Sequence, residues 1–148
     1  MNIKYMMKSE DTEQMRVISW AEHHKAEYQE LELLYHCPNG GKRNKVEAIK
    51  FKQMGVKAGI PDLCLPVPAG KYTGLYIELK GEKGVISEKQ KQMLRALADM
   101  NHYCCVCYGA EETIKVLKEY LLLRHMNTEM QADNLSIRIA GKLKQIFT

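Results

Sequence analysis

Two periods alternate along this chain. Val17, Trp20, Ala21 and His24, with Met6 upstream, supply part of an apolar face at helical spacing and predict a helix from Ser9 to about Tyr28. Ser9 suits its N-cap, and Glu10, Asp11 and Glu13 fill the first turn, where the helix dipole favours acids. Residues 31–37 form a short apolar run ending at Pro38 and read as a strand; Pro38-Asn39-Gly40-Gly41 reads as a turn. Lys45 to Met54 reads as a short helix stopped near Gly55. Asp62–Val67 and Leu75–Lys80 read as strands. Ser87-Glu88-Lys89-Gln90 has the form of a capping box, opening a helix to about Asn101. Tyr103–Tyr108 alternates as a strand does, Glu111–His125 reads as a helix, and Leu135, Ile139, Leu143 and Ile146 return to helical spacing.

This order predicts an α/β fold with a mixed central β-sheet flanked by helices. The strands beginning at 62 and 75 are close in sequence, so they are expected to pair as an antiparallel hairpin; a metal site between them would require it to be centred on Lys71.

Composition adds bounds. A chain of 148 residues with 45% hydrophobic and 27% charged residues can bury a core without disulfide or metal staples. The net charge of +4 permits a polyanionic partner without requiring one. Its distribution says more: Lys42, Arg43, Lys45, Lys50, Lys52 and Lys57 face a single acid, Glu47, in that segment. Such a cluster suits phosphates, and it equally suits a solvated helix face. Five cysteines without zinc-type spacing read as buried free thiols, hence a reducing compartment. The N-terminus has no apolar stretch typical of a signal peptide, and no run approaches membrane-span length, so an intracellular, cytoplasmic location with no membrane association is expected.

The chemistry concentrates in Gly59-Ile60-Pro61-Asp62 and Glu78-Leu79-Lys80. Alternate strand residues share a face, so Glu78 and Lys80 project together while Ile77 and Leu79 point to the core. With the expected register, Asp62 lies opposite Lys80 and diagonal to Glu78; a slip of one residue would turn it to the wrong face. Two converging carboxylates with a neighbouring lysine are what metal-assisted phosphodiester hydrolysis needs: a place for a divalent ion, and a cation to hold the water or the phosphate. Oxygen ligands favour Mg²⁺ or Mn²⁺ over zinc. The plainer reading is an exposed Glu-x-Lys ion pair, which is worth little.

Gly59-x-Pro61-Asp62-Leu63, Glu78-Leu79-Lys80-Gly81 and Gly84-x-x-Ser87-x-x-Gln90, with Glu10-x-x-x-Gln14 before them, resemble the VRR-NUC family. That family is a branch of the PD-(D/E)XK nucleases, whose restriction-endonuclease-like fold the resemblance implies. It spans roughly residues 9 to 123. It implies that Asp62 and Glu78 bind the metal with the carbonyl of Leu79. Lys80 would orient the nucleophile or stabilise the phosphate. Glu10 would reach the site directly or through water, with Glu13 as its rival, and Gln90 would line it. Ser87 is expected to be a cap. The metal would be Mg²⁺ or Mn²⁺.

Stand-alone phage members resemble Holliday-junction resolvases. The implied function is therefore a metal-dependent, structure-selective DNA endonuclease acting on branched DNA such as a four-way junction, working as a homodimer. A phage or prophage origin in a bacterial host goes with it. The alternatives are a flap-type or less selective nuclease, or a DNA-binding module that does not cut. Lys42, Arg43 and Lys45 are the expected DNA-binding residues. Residues 1–125 are assigned to the nuclease domain. Residues 126–148 form a helical extension, either part of that domain or a dimer surface.

Overall fold

The computed structural model describes residues 9–38 and 43–126. In chain order these contain α1 (Glu10–His24), a 3-10 turn (Gln29–Leu33), β1 (Tyr35–His36), α2 (Lys45–Gln53), β2 (Leu63–Leu65), β3 (Leu75–Lys80), α3 (Glu88–Asp99), β4 (Tyr103–Tyr108) and α4 (Ala110–His125). The four strands lie side by side in the order β1-β2-β3-β4. The first two pairings are antiparallel, and β3 with β4 is parallel through the α3 crossover. This is the mixed sheet flanked by helices that the pattern predicts.

Each face of the sheet is covered. Leu63, Leu65, Leu75, Ile77 and Leu79 meet Val17 and Ala21 of α1 and Leu117 and Leu121 of α4 in the main core. Each such leucine, fully buried, contributes roughly 1.5–3 kcal/mol. On the other face Cys104 and Val106 pack with Leu94 of α3, and Tyr76 packs alongside them. The five cysteines are free, and all but Cys37 are buried, as expected.

The helix starts are built as the sequence suggests. Ser9 Oγ accepts the Thr12 N–H, and Ser87 with Gln90 forms the full capping box.

Two expectations need correction. Residues 31–37 are not one strand: a 3-10 turn runs to Leu33, and only Tyr35 and His36 pair with β2. Leu31 is buried and Leu34 packs on the same core, whereas Leu33 and Tyr35 are exposed. A spacing of three fits a turn, not a pleat.

The hairpin register also differs. Leu63 pairs with Ile77 and Leu65 with Leu75, so the hairpin is centred on Gly70, not Lys71. The tip is a tight turn with Ala69 and Tyr72 bridged. Extended evenly from that bridge, the strands would pair out of phase, with Asp62 opposite core-facing Leu79. Three residues (66–68) on one side against two (73–74) on the other restore the phase.

The assigned extension 126–148, apart from Met126, lies outside the described residues, as do Met6, Lys42 and the stripe from Leu135 to Ile146.

Candidate active site

Continued by one residue beyond β2, the observed register sets Asp62 opposite Glu78. Side chains directly opposite share a face, with Cβ atoms about 4.5–5.5 Å apart. This is closer than the diagonal expected from sequence. The Asp62 carboxylate is fixed by its Oδ2, which accepts the Leu79 N–H at 2.8 Å. Its backbone is fixed as well: the Asp62 carbonyl accepts the Cys37 N–H at 2.9 Å and bonds His36 Nδ1 at 2.7 Å. His36 thus braces the site from β1. Sequence reading left it aside, since only the pairing of β1 with β2 brings it there.

Pro61 has a matching role. One residue further along the same register it falls opposite Leu79, whose N–H is turned toward β2. Backbone N–H and C=O of one strand residue point the same way, so the Leu79 carbonyl faces Pro61. Proline has no N–H to offer it.

Glu78 is 1% exposed. Its Oε1 accepts Gln90 Nε2 at 2.7 Å and lies 3.3 Å from Lys80 Nζ. Its Oε2 is buried with no hydrogen-bond partner. Burial, then the neighbouring Asp62 charge, push the Glu78 carboxyl up to about 8, outweighing the pull of Lys80. Near neutral pH the metal-free Glu78 carboxyl therefore favours its protonated form.

Lys80 is itself buried, and Gly84 lies over its stem: a Cβ at Gly84 would stand 3.0 Å from Lys80 Cδ. Gly59 is shaped by a close approach too. Its φ is +83°, and a Cβ there would meet the Lys89 carbonyl oxygen at 2.7 Å. The chain can therefore run against the first turn of α3 and deliver Pro61-Asp62 beside Gln90.

Asp62, Glu78, Lys80 and Gln90 are thus gathered on one end of β3. Glu10 is exposed in the first turn of α1, and no hydrogen bond or ion pair joins it to them. Glu13 is the acid that α1 turns inward: its Oε2 accepts the Ala110 N–H at 2.9 Å. Gly109, the N-cap of α4, has no side chain to do so. Gly109 in turn donates to the Lys80 carbonyl, so Glu13 is tied to the same end of the sheet.

The VRR-NUC domain model matches residues 2–111. A solved structure described as a VRR_NUC domain protein superposes with a TM-score of 0.68 at 33% identity, covering 78% of this chain and 89% of its own. The chain belongs to the VRR-NUC family. Membership points to a nuclease, and the mixed sheet with its flanking helices agrees with the PD-(D/E)XK-type fold. No match is found among curated proteins.

The VRR-NUC site suits a hard divalent ion in its donor chemistry. It offers the facing carboxyls of Asp62 and Glu78, one orphaned carboxyl oxygen on Glu78 and one carbonyl facing a proline. These are oxygen donors, the kind a hard divalent ion takes. Among the described residues no group of three or more His, Cys, Asp or Glu gathers at one point.

Of the expected DNA-binding residues, Arg43 lies against Phe51 at 4.3 Å, and Lys45 opens α2, exposed. Tyr76 packs, edge-on to His102. No helix of the described residues is long and apolar enough to cross a membrane.

Proposed function

We propose that this VRR-NUC domain is a Mg²⁺- or Mn²⁺-dependent endodeoxyribonuclease that cuts branched DNA, acting as a homodimer on four-way junctions. The carrying observation is Glu78: a buried carboxyl with one oxygen held by Gln90 and Lys80, the other oxygen unpartnered, and Asp62 opposite. A structural ion pair has no need of an unsatisfied buried oxygen, which costs about 1–3 kcal/mol. A metal ligand does.

Asp62, Glu78 and the Leu79 carbonyl would hold the ion, with Glu10 contributing through water. When bound, the ion lowers the pKa of a water and neutralises charge on the scissile phosphate. The residues of the chain do the rest. Leu79 N–H and His36 keep Asp62 in place, and Gln90 holds Glu78 Oε1 by a hydrogen bond, which fixes the carboxyl's orientation. Lys80, its stem pinned under Gly84, presents its ammonium to a phosphate oxygen or to the attacking water. Water adds to phosphorus and gives up one proton, one P–O ester bond breaks, and the departing oxygen takes up a proton, so that no net proton is consumed. Lys42, Arg43 and Lys45 would meet flanking phosphates.

Cleavage of a labelled four-way junction, beside flap and linear duplex controls, with Mg²⁺, Mn²⁺ or EDTA, tests this reading. Paired symmetric cuts that need metal are expected. Cuts confined to flaps or linear DNA replace the junction assignment, and no cutting by folded, metal-loaded protein puts a binding module in its place.

A further inference from the structure

An open groove of about 780 Å³ runs between α2 and α3. Its basic lining comes from Arg43, Lys52, Lys57 and Lys89, and among the described residues no acidic side chain lines it. The rest is mostly apolar, with Ala48, Phe51, Val56 and Met93 facing in. Lys89 lines the groove while the next residue, Gln90, donates to Glu78. Ala58 lines it while Gly59 rests against Lys89 and leads to Asp62. Groove and site are therefore neighbours at two points along the chain, Lys89–Gln90 and Ala58–Gly59.

The helix forming one wall is itself unfinished. No residue of α2 is buried, and Val46 and Ile49 are exposed. Nine residues capped by Asn44 make a marginal helix on their own, because most helical stability comes from a packed face. Something bound there would complete it.

We propose that this groove holds an unpaired DNA strand leading into the Asp62–Glu78 site, an inference that rests on the nuclease reading above. A duplex hides its base faces in the stack and turns phosphates and sugars outward, so it has no use for an apolar floor. An unpaired strand presents phosphates and bare base faces together. Lysines along a groove suit the first; Phe51 with Arg43 stacked on it, and the Met93 thioether, suit the second. The chain's own residues 127–148 are a poor occupant: they carry two acids, Glu129 and Asp133, against three bases. The specificity follows from geometry. A strand that must part from its complement to reach the site is found at branches and flaps, not in continuous duplex.

Binding measured without cutting tests this. Full-length protein in EDTA is titrated into labelled oligothymidylate and into duplex of equal length, by fluorescence anisotropy. Phe51→Ala, with native circular dichroism, is expected to weaken oligothymidylate binding by at least about fivefold, the loss of one stacked base, while leaving duplex affinity unchanged. Phe51→Trp should bind as tightly as the unaltered chain. Lys57→Glu, at an exposed position, should weaken the single strand as well. Unchanged oligothymidylate binding in both Phe51→Ala and Lys57→Glu overturns the proposal. So does an equal loss on duplex, or a groove occupied by a second copy, seen as self-association that Phe51→Ala abolishes in sedimentation. Absent cleavage together with intact single-strand binding removes the nuclease reading and leaves the groove's ligand standing.

Discussion

Gln90 ties the cap of α3 to Glu78. Its Nε2 donates to Glu78 Oε1 at 2.7 Å while its Oε1 accepts the Ser87 N–H at 2.8 Å. The capping box thereby decides which end of the amide faces the carboxyl. Gln90→Ala would free Glu78 to turn, while Ser87 Oγ still caps the backbone N–H of residue 90. Cleavage is expected to fall about 10–100-fold, the usual effect of removing a partner that orients a ligand. The Mn²⁺ concentration for half-maximal cleavage should rise with it. An unchanged metal titration would deny Gln90 this positioning role.

Asp62→Ala and Lys80→Ala should each lower the single-turnover rate by at least about 10²-fold. The fold should survive both changes. In Lys80→Ala the Glu78 carboxyl is left neutral rather than as a bare charge, since burial already favours its protonated form near neutral pH. Full activity in either purified variant overturns the site assignment.

The proton held by buried Glu78 makes stability depend on pH. Glu78 binds a proton up to about pH 8 in the folded chain, against an ordinary value of 4.5 when unfolded. Between those values the folded state holds more protons, so metal-free stability should fall as pH rises from about 4.5 to 8. Thermal melts in EDTA read this directly. Glu78→Gln should flatten the slope, and saturating Mn²⁺ should reverse it, because the ion takes the place of the proton. A flat melt profile for the unaltered chain in this range counts against the buried, protonated Glu78.

Gly59→Ala should destabilise the protein by about 1–3 kcal/mol through its positive φ alone. The added Cβ also meets the backbone of Lys89, which has no flexible end to move aside. The first turn of α3 must shift, carrying Gln90 with it. Activity should therefore fall further than the melting temperature implies. Wild-type melting and activity together would refute the close approach.

DNA affinity should drop steeply with salt, because each phosphate that a cation neutralises releases counterions. Replacing Lys42, Arg43 and Lys45 with alanine should reduce the slope of log K against log salt by about 0.9 for each phosphate no longer neutralised. An unaltered slope would place the DNA surface elsewhere.

The strand β3, which carries the candidate site, is readable because its information is local. Glu78 and Lys80 alternate with core-facing Ile77 and Leu79, and a pleat of period two settles their face without reference to anything distant. Ser87 and Gln90 are readable as a cap for the same reason: their partners lie three residues apart. The run from 31 to 37 misleads because Leu31, Leu33 and Leu34 fit either a strand or a turn, and burial by distant residues chooses between them.

By itself the sequence determined the α/β order, the helix caps, the free thiols and the carboxylates and lysine of the candidate site. Tertiary structure decided how they meet. It set Asp62 opposite Glu78 through an uneven hairpin loop, brought His36 beneath Asp62, turned Glu13 rather than Glu10 inward, and opened the basic groove beside Gln90. The reason is range. Caps and pleats depend on neighbours a few residues away, whereas register, burial and the shift of the Glu78 carboxyl depend on groups the chain brings together only when folded.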